Sequence, residues 1–411
     1  MSRLVQLISI FFKILSTFIL VMMQTFSSFV SLPLRIALIL CLSCGFLTSL
    51  RAQGESLKAE SASIPKYFYK KLIGNLGQDK IEIDLLRMGS NLQGHFYFHN
   101  KETKGTIEGT IDDKGRISLN EITGIDPETG EPKVIGVFEG RFATPTEIAG
   151  SWHALEGNDY NTFKLEESYP NAAHKFWMIH EGRSYSGTAE VELVYVVMGD
   201  EQNVKAARQI NQYINSHILN YDHPKSDKSK FGDHAEFLDD FVNRYKAMAA
   251  KTSADALPIW ENKHHIILDY NNHDIVVLEF VENIFEGGIR PEKKIHYVNF
   301  DAKTGNPLVL EDIFVSNFEN KLNQIAEPIF RKRYGFENIK NFSEEGIMFP
   351  DNKFSAGKNF ALSKGGILFR YNAEEIAPHA LGEFEIFVPF SQIKDLIKKG
   401  SLAEVMMNSY Y

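Results

Sequence analysis

The chain has 411 residues, and with 44% hydrophobic side chains it has enough apolar material for two or three separate cores. It carries 44 basic and 53 acidic residues, a formal net charge of −9, which argues against a nucleic-acid partner because recognition of nucleic acid depends on a basic surface. Its two cysteines, Cys41 and Cys44, both lie near the start of the chain.

The first fifty residues predict export from the cytoplasm. Residues 4–22 and 29–50 are almost wholly apolar, and residues 1–52 contain no Asp or Glu. The second apolar run follows Arg35 and ends at Leu50-Arg51-Ala52-Gln53. A positive region, an apolar region and a small residue at the cut are typical of a secretory signal peptide. We therefore expect a signal peptide over residues 1–52, cleavage near Ala52, and a periplasmic or extracellular protein.

Alternatives stay open for this leader. Each apolar run approaches the roughly 20 residues that span a bilayer, so an uncleaved membrane anchor is the competing interpretation. If Met22 or Met23 is the true start, the first apolar segment is an over-extension. Cleavage after Ala52 would remove both cysteines and four basic residues, which leaves 44 − 4 = 40 basic against 53 acidic residues. The mature protein would then have no disulfide and no cysteine-bound metal.

A polar linker at residues 53–65 precedes a predicted β-meander at residues 66–166. Apolar and polar residues alternate in short segments separated by glycine-containing turns, for example from Leu92 to Phe98 and from Ile148 to Trp152. About eight such strands suffice for a small barrel or a curled sheet. The pattern resembles lipocalin- or avidin-like meanders in outline only. A packed interior is favoured over a ligand in the barrel mouth.

Residues 180–290 predict an upstream α+β domain. Valine-rich residues 188–198 predict a strand. Apolar residues at helical spacing then predict two amphipathic helices, from Val204 to Ile218 and from Phe237 to Met248. Three strands are expected to follow, at residues 264–270, 274–285 and 294–301. Asn271-Asn272-His273 is expected to form a tight hairpin turn between the first two of these strands.

Residues 291–400 predict a second α+β domain, followed by a tail at residues 401–411. A helix is expected from Asn317 to about Tyr334, with Gly335 beyond its end. Ser391 is expected to cap a last helix that ends before Gly400. Strands at residues 359–362, 366–371 and 383–390 are expected to complete the sheet. The predicted fold class is α+β, an N-terminal antiparallel β-meander followed by an antiparallel sheet with helices on one face.

Four short motifs in this half of the chain identify a family resemblance. They are Gly287-Gly288-Ile289-Arg290-Pro291, Asn299-Phe300-Asp301-Ala302-Lys303-Thr304-Gly305, Leu308-x-Leu310-x-Asp312-x-Phe314 and Glu375-Ile376-Ala377-Pro378. With them, residues of about 185–400 resemble the paired extracytoplasmic domains of lysozyme-sensing anti-sigma-V factors, which also occur beside the catalytic domain of secreted peptidoglycan deacetylases. The resemblance is stronger from about residue 290 onwards than before it.

The resemblance implies an extracytoplasmic sensing or binding role, but two departures affect the site it would carry over. The family often has Gly-Gly-Ala-His-Pro where this chain has Ile289 and Arg290 before the proline. It also often has aromatic residues at the positions of Glu374 and His379. These positions are expected to face a partner, so lysozyme binding does not transfer directly. Neither a deacetylase catalytic domain nor a cytoplasmic sigma-binding region is recognisable in the sequence.

Two loops supply the predicted binding residues. Gly287-Gly288 before Pro291 predicts a sharply bent strand end, because proline fixes φ. The segment from Glu374 to Gly382 has no apolar period and joins two strands, which predicts a surface loop on a rigid sheet, where binding residues tend to lie. A well-packed connector is the alternative. The candidate binding residues are Gly287, Gly288, Arg290, Glu374, Glu375, Ile376, Pro378 and His379.

The sequence contains no recognisable catalytic constellation. It has no Gly-x-Ser-x-Gly, no His-Glu-x-x-His and no phosphate-binding glycine-rich loop. His264 and His265 are adjacent on a predicted strand and so point to opposite faces, which prevents them from sharing a metal ion. No catalytic residue, cofactor or metal is therefore predicted.

We expect a non-catalytic secreted or periplasmic protein that binds a cell-envelope protein or glycan, or a cationic envelope-attacking protein such as lysozyme. One alternative is an enzyme or accessory that acts on peptidoglycan, with Glu374 or Glu375 as acid or base. Another is a structural envelope protein without a soluble ligand. No nucleic acid is expected as a partner, and a membrane is expected only through an uncleaved leader.

Overall fold

The computed structural model describes residues 64–99, 104–125, 131–199, 203–220, 230–253 and 256–409. The predicted signal peptide and most of the linker lie outside these residues. The described residues belong to one compact unit, Ile64–Tyr411. None of the helices in these ranges is both long and apolar enough to cross a membrane.

Eight antiparallel strands close into a barrel in which each strand pairs with its neighbour in sequence and the eighth pairs with the first. Apolar side chains from alternate positions, such as Leu72, Ile83 and Phe138, fill its interior as one buried cluster. The predicted meander is confirmed and is a closed barrel. Its strands are β1 Tyr67–Leu76, β2 Asp79–Met88, β3 Asn91–Phe98, β4 Lys104–Ile111, β5 Arg116–Ile125, β6 Pro132–Thr144, β7 Glu147–Ala154 and β8 Tyr160–Glu167.

Glycines within these strands allow the strong curvature of the barrel. A Cβ atom on Gly94 would lie 2.1 Å from the carbonyl oxygen of Asp84, and one on Gly109 would lie 1.9 Å from that of Ser118. No side chain fits at such distances, so these positions require glycine.

Six strands form a second sheet in the order β14-β13-β12-β11-β10-β9. All neighbours are antiparallel except β10 and β11, which are parallel. The predicted antiparallel sheet thus contains one parallel pair, because the two helices between β10 and β11 form a crossover connection. The strands are β9 Phe176–Tyr185, β10 Ala189–Met198, β11 Trp260–Asn272, β12 Ile275–Glu286, β13 Glu292–Asp301 and β14 Asn306–Leu308.

The two crossover helices, α1 Val204–Leu219 and α2 His234–Ala249, pack on one face of this sheet. Their helical spacing was recognisable because one face of each is buried, including Ile210 and Ile214 in α1 and Phe241 in α2. The hairpin between β11 and β12 turns at His273 and Asp274, with φ of 54° and 60°. Two residues with positive φ match the twist of the flanking strands. The predicted hairpin is confirmed, with its turn one residue further along.

Three further strands form a separate antiparallel sheet in the order β15-β16-β17, rather than completing the six-stranded sheet as expected. They are β15 Phe360–Ser363, β16 Gly366–Tyr371 and β17 Phe384–Pro389. The helices of this part of the chain are α3 Leu310–Ile313, α4 Glu319–Tyr334, α5 Phe390–Ile393 and α6 Leu402–Asn408. The predicted α+β fold class is confirmed.

The end of the chain differs from the prediction. Ser391 lies inside the short helix α5, and Pro389 is its N-cap. The chain leaves the helix because Ile397 forms a β-bridge with Phe314. A new helix, α6, begins after Ser401, whose side chain accepts a hydrogen bond from the amide of Glu404 at 3.2 Å. The predicted last helix is therefore present but shorter than expected, because a 3₁₀ turn at Lys394–Leu396 follows α5 and the bridge at Ile397 ends it. The predicted cap at Ser391 is wrong.

Phe330 on α4 lies at the centre of the C-terminal core. Its side chain is fully buried. Its ring contacts seven aromatic rings, those of Tyr334, Phe336, Phe342, Phe349, Phe354, Tyr371 and Phe384. This cluster supports the sheet β15-β16-β17 and the loops at its end.

The outer face of the barrel packs against the sheet face opposite α1 and α2. Buried polar groups hold the contact. The ammonium group of Lys71 lies between the carboxylates of Glu82 and Asp84. Across the interface, Asn271 Nδ2 donates to Tyr69 Oη at 3.1 Å, and Asn272 Nδ2 donates to a carboxylate oxygen of Glu82 at 3.3 Å. These bonds satisfy the buried charges from both sides and fix the two sheets to each other.

Candidate functional site

The two loops that carry the predicted binding residues meet in space. Arg290 lies in the loop between β12 and β13, and Glu374 lies in the loop between β16 and β17. The guanidinium of Arg290 forms an ion pair with Oε1 of Glu374, although 84 residues separate them. Both side chains are about half exposed, at 47% and 59%. The sequence predicted the two loops separately, and the structure brings them together through this ion pair.

The first loop bends at Gly287, where φ is 71°. A Cβ at this position would also lie 3.0 Å from Trp260 Nε1. Glycine is required here because it adopts positive φ without strain and leaves room for the indole. Gly288 follows in open surroundings, where the nearest atom to an added Cβ would be 3.7 Å away. The two glycines shape the loop, and Arg290 makes its contact to the second loop.

The second loop is fixed at its base by Asn372. The side chain of Asn372 accepts from the amide of Ile295 at 2.7 Å and donates to the carbonyl of the same residue at 2.9 Å, which ties the loop to β13. The amide of Asn372 donates to Oε2 of Glu375 at 2.9 Å, so Glu375 holds the turn. Glu374 has φ of 69°, a left-handed conformation that is uncommon for a residue with a side chain. Such local strain is frequent at binding sites.

The remaining predicted residues fall into two groups. Ile376 is buried in the C-terminal core, and its carbonyl accepts from the amide of Met348 at 2.6 Å. It therefore anchors the loop. Pro378 is exposed and precedes a single 3₁₀ turn, His379–Leu381, in which His379 is half-buried.

Three large apolar side chains are exposed around the Arg290–Glu374 pair. Ile289 is fully exposed, Met348 is 62% exposed and Leu381 is 48% exposed. The Met348 amide is bonded to the second loop, and Leu381 approaches Gly346, so the last two belong to one neighbourhood. We call residues 287–291, 346–348 and 374–382 the loop surface. Sequence reasoning missed these apolar residues, whose only signal is that they stand in loops without an apolar period.

Two of the three segments at the loop surface are acidic, while the first, residues 287–291, carries Arg290. The segments 341–352 and 372–382 contain five acidic residues and no lysine or arginine. All five are exposed, namely Glu344, Glu345, Asp351, Glu374 and Glu375. Apolar side chains within a charged surround are typical of surfaces that bind other proteins.

The histidines that suggested a metal site are separated as predicted. His264 packs against Phe237 of α2, with ring centroids 5.3 Å apart, while His265 lies on the opposite face with Nε2 at 3.2 Å from Oε2 of Glu192. His180 contacts the same carboxylate at 2.9 Å. Across the described ranges, no group of three or more His, Cys, Asp and Glu residues has a geometry that would hold a metal ion.

Comparison with known proteins gives one match in sequence. Residues 311–391 match a family model described as "Protein of unknown function (DUF3298)". This DUF3298 segment runs from α3 to α5 and includes the second loop, while Arg290 lies outside it. No curated protein matches the chain.

Two solved structures described as DUF3298 family proteins are similar to part of this chain. A DUF3298 family member from Bacteroides fragilis is 17% identical, with 58% of this chain and 99% of that chain covered and a TM-score of 0.48. A DUF3298 family protein from Pseudomonas aeruginosa is 14% identical, with 56% of this chain and 96% of that chain covered and a TM-score of 0.42.

Proposed function

We propose that the protein is an exported, non-catalytic binding protein whose loop surface recognises a cationic protein that attacks the cell envelope, of the lysozyme type. The observation that carries this proposal is the full exposure of Ile289 beside the Arg290–Glu374 ion pair, which fixes the two loops against each other. The apolar leader supports export. The resemblance of residues from about 290 to 400 to lysozyme-sensing domains supports the class of partner.

The energetics favour a protein partner over a small ligand. Burial of an isoleucine side chain contributes about 1.5–3 kcal/mol, and Ile289 gains all of this only when a partner covers it. Met348 and Leu381 add smaller gains at the same surface. The nearby carboxylates other than Glu374, which pairs with Arg290, attract a cationic partner over longer distances, which raises the rate of association and makes it depend on salt.

The test is calorimetric titration of the exported protein with hen lysozyme at low and high salt. We expect binding that weakens with salt, and an affinity at least about tenfold lower for Ile289→Ser, since about 1.4 kcal/mol corresponds to a factor of ten. Leu155→Ser is the matched control, because Leu155 is a 54% exposed leucine on the barrel. It should bind like the wild type.

Lysozyme with its lysines succinylated provides a second control, because each modified lysine exchanges a positive charge for a negative one, and it should bind more weakly. Absence of binding heat together with undiminished lysis of cell walls would remove the proposal. Turnover of muropeptides by the purified protein, abolished by Glu374→Gln, would favour the enzymatic alternative instead.

A further inference from the structure

A cleft lies between the outer face of the barrel and the six-stranded sheet. Its volume is about 360 Å³. Clefts of this size accommodate small molecules. We call it the barrel–sheet cleft and define it by Met88, His95, Ile107, Ile267, Glu279 and Val281, which are among its lining residues. Apolar and polar side chains line the space in about equal share, so the cleft offers an apolar wall together with polar groups that can orient a ligand.

Glu279 is the carboxyl group of this cleft. Burial and the nearby carboxylate of Asp269 raise the pKa of Glu279 to about 7. The hydroxyl of Tyr297 lies 3.5 Å from its Oε1, at the limit of a hydrogen bond. In the part of the chain that the structure describes, no lysine or arginine forms an ion pair with Glu279.

Asp269 lies beside Glu279 and behaves in the opposite way. The pairing of β11 with β12 shifts at this residue, since Leu268 pairs with Leu278 and Tyr270 with Val277. Burial opposes the ionisation of Asp269. However, the ammonium of Lys104 at 2.7 Å and the ring of His95 at 3.4 Å keep its pKa below the ordinary range. Its other oxygen, Oδ2, is buried and has no hydrogen-bond partner in the described ranges.

The charges that face Glu279 leave this carboxyl without a counter-ion. They come from β11, β13, β16 and the barrel, and comprise Asp269, His265, Lys293, Tyr297, Arg370, His95, Lys104 and Glu108. Each lysine and arginine among these groups already forms an ion pair with another carboxylate. Lys104 pairs with Asp269. Lys293 lies 3.7 Å from Glu383, and Arg370 pairs with Glu383 and Glu385. The cleft therefore combines an apolar wall with a carboxyl group that forms no ion pair in the described ranges.

We propose that the barrel–sheet cleft binds a small organic amine, with its ammonium group on Glu279 and its apolar body between Met88, Ile107, Ile267 and Val281. The partly buried carboxyl of Glu279 gains from a ligand that supplies a positive charge, because a charge withdrawn from water is costly unless it is paired. The apolar body gains from the walls in proportion to the area it buries. This site is separate from the loop surface, and neither proposal depends on the other.

Such binding is linked to a proton. The amine binds the ionised form of Glu279, so below neutral pH it must displace the proton that the free protein holds. With a pKa of about 7, roughly one tenth of Glu279 is ionised near pH 6 and about nine tenths near pH 8. The affinity is therefore expected to rise about tenfold between about pH 6 and about pH 8. An aliphatic amine stays protonated throughout this range.

The experiment is calorimetric titration of the full chain with 2-phenylethylamine near pH 6 and near pH 8, in two buffers with different heats of ionisation. We expect about tenfold tighter binding at the higher pH, proton release at the lower pH, and no binding of the neutral analogue 2-phenylethanol. Glu279→Gln should abolish amine binding. Glu261→Gln is the control, because Glu261 is an exposed glutamate on β11.

Two results would overturn the inference. One is the absence of amine binding at millimolar concentration to protein whose circular dichroism shows it to be folded. The other is binding that is equal for Glu279→Gln and the wild type and independent of pH. Ile289→Ser should bind the amine normally, so failure at the loop surface and failure at the cleft are distinguishable.

Discussion

Replacement of Glu279 by glutamine should change how the stability of the protein depends on pH. The folded protein holds the proton of Glu279 with a pKa of about 7, against an ordinary value of 4.5. The folded state thus binds this proton more tightly than the unfolded state does. Its contribution to stability is fully present below about pH 4.5 and is lost as the pH rises through 7.

The size of the effect follows from the two pKa values. Each pH unit between them corresponds to about 1.4 kcal/mol, so a difference of about 2.5 gives about 3 kcal/mol as an upper bound. Glu279 is only partly buried, and solvent screening reduces the expected effect to about 2 kcal/mol. Glutamine has nearly the same shape as glutamate and does not ionise. Glu279→Gln should therefore not lose this stability as the pH rises.

The assay is denaturant unfolding of the wild type and the variant near pH 5 and near pH 8, followed by tryptophan fluorescence. The wild type should lose about 2 kcal/mol more than Glu279→Gln between these values. Ionisable groups outside the cleft contribute equally to both proteins and cancel in the comparison. Glu261→Gln should retain the wild-type dependence. Parallel profiles for the wild type and Glu279→Gln would refute the reasoning.

Three further substitutions test the fold. Phe330→Ala should cost about 3–5 kcal/mol in unfolding experiments, because it leaves a cavity among seven aromatic rings; a loss below about 1 kcal/mol would contradict the central position of this ring. Lys71→Met should lower the free energy of unfolding by about 3–5 kcal/mol, because it leaves two buried carboxylates without their cation. Adding Asp84→Asn to this variant should recover part of the lost stability, and no recovery would count against the network. Gly305→Ala should reduce the melting temperature more than Gly400→Ala. Both glycines have φ near 80°, but only at Gly305 would an added Cβ lie 2.8 Å from a backbone oxygen. Equal reductions in melting temperature would count against steric crowding.

The elements that the sequence predicted well are those with one buried face. The barrel strands alternate because one face of each lies in the interior, and α1 and α2 show helical spacing because each buries a stripe against the sheet. The turn at Asp301 was equally recognisable. Its carboxylate accepts from the amide of Lys303 at 2.8 Å and from the hydroxyl of Thr304 at 2.9 Å, and Gly305 takes φ of 80°. All of these are local interactions, and local sequence encodes them.

Pairing between distant strands was not predictable in the same way. Strand β9 was missed because its second half, from His180 to Tyr185, is largely exposed and polar and therefore shows no alternation. The strands β15, β16 and β17 were recognised, but their assignment to a separate sheet depends on contacts with α4 that no short segment contains. The end of the last helix was unpredictable for the same reason, because it is set by the bridge between Phe314 and Ile397, which are far apart in sequence.

The two candidate sites differ in how far the sequence alone could predict them. The loop surface could be predicted because its glycines and prolines specify the bends, although the contact between Arg290 and Glu374 could not. At the cleft, Lys104 and Asp269 are 165 residues apart. Asp269 lies in an apolar strand, and the residues next to it in sequence give no sign of a buried charge. The residues next to Glu279 in sequence likewise do not distinguish it from a solvent-exposed glutamate. The acidity of a carboxyl group depends on burial and nearby charge. For Glu279, both are produced by the packing of the barrel against the sheet, so its chemistry exists only in the folded chain.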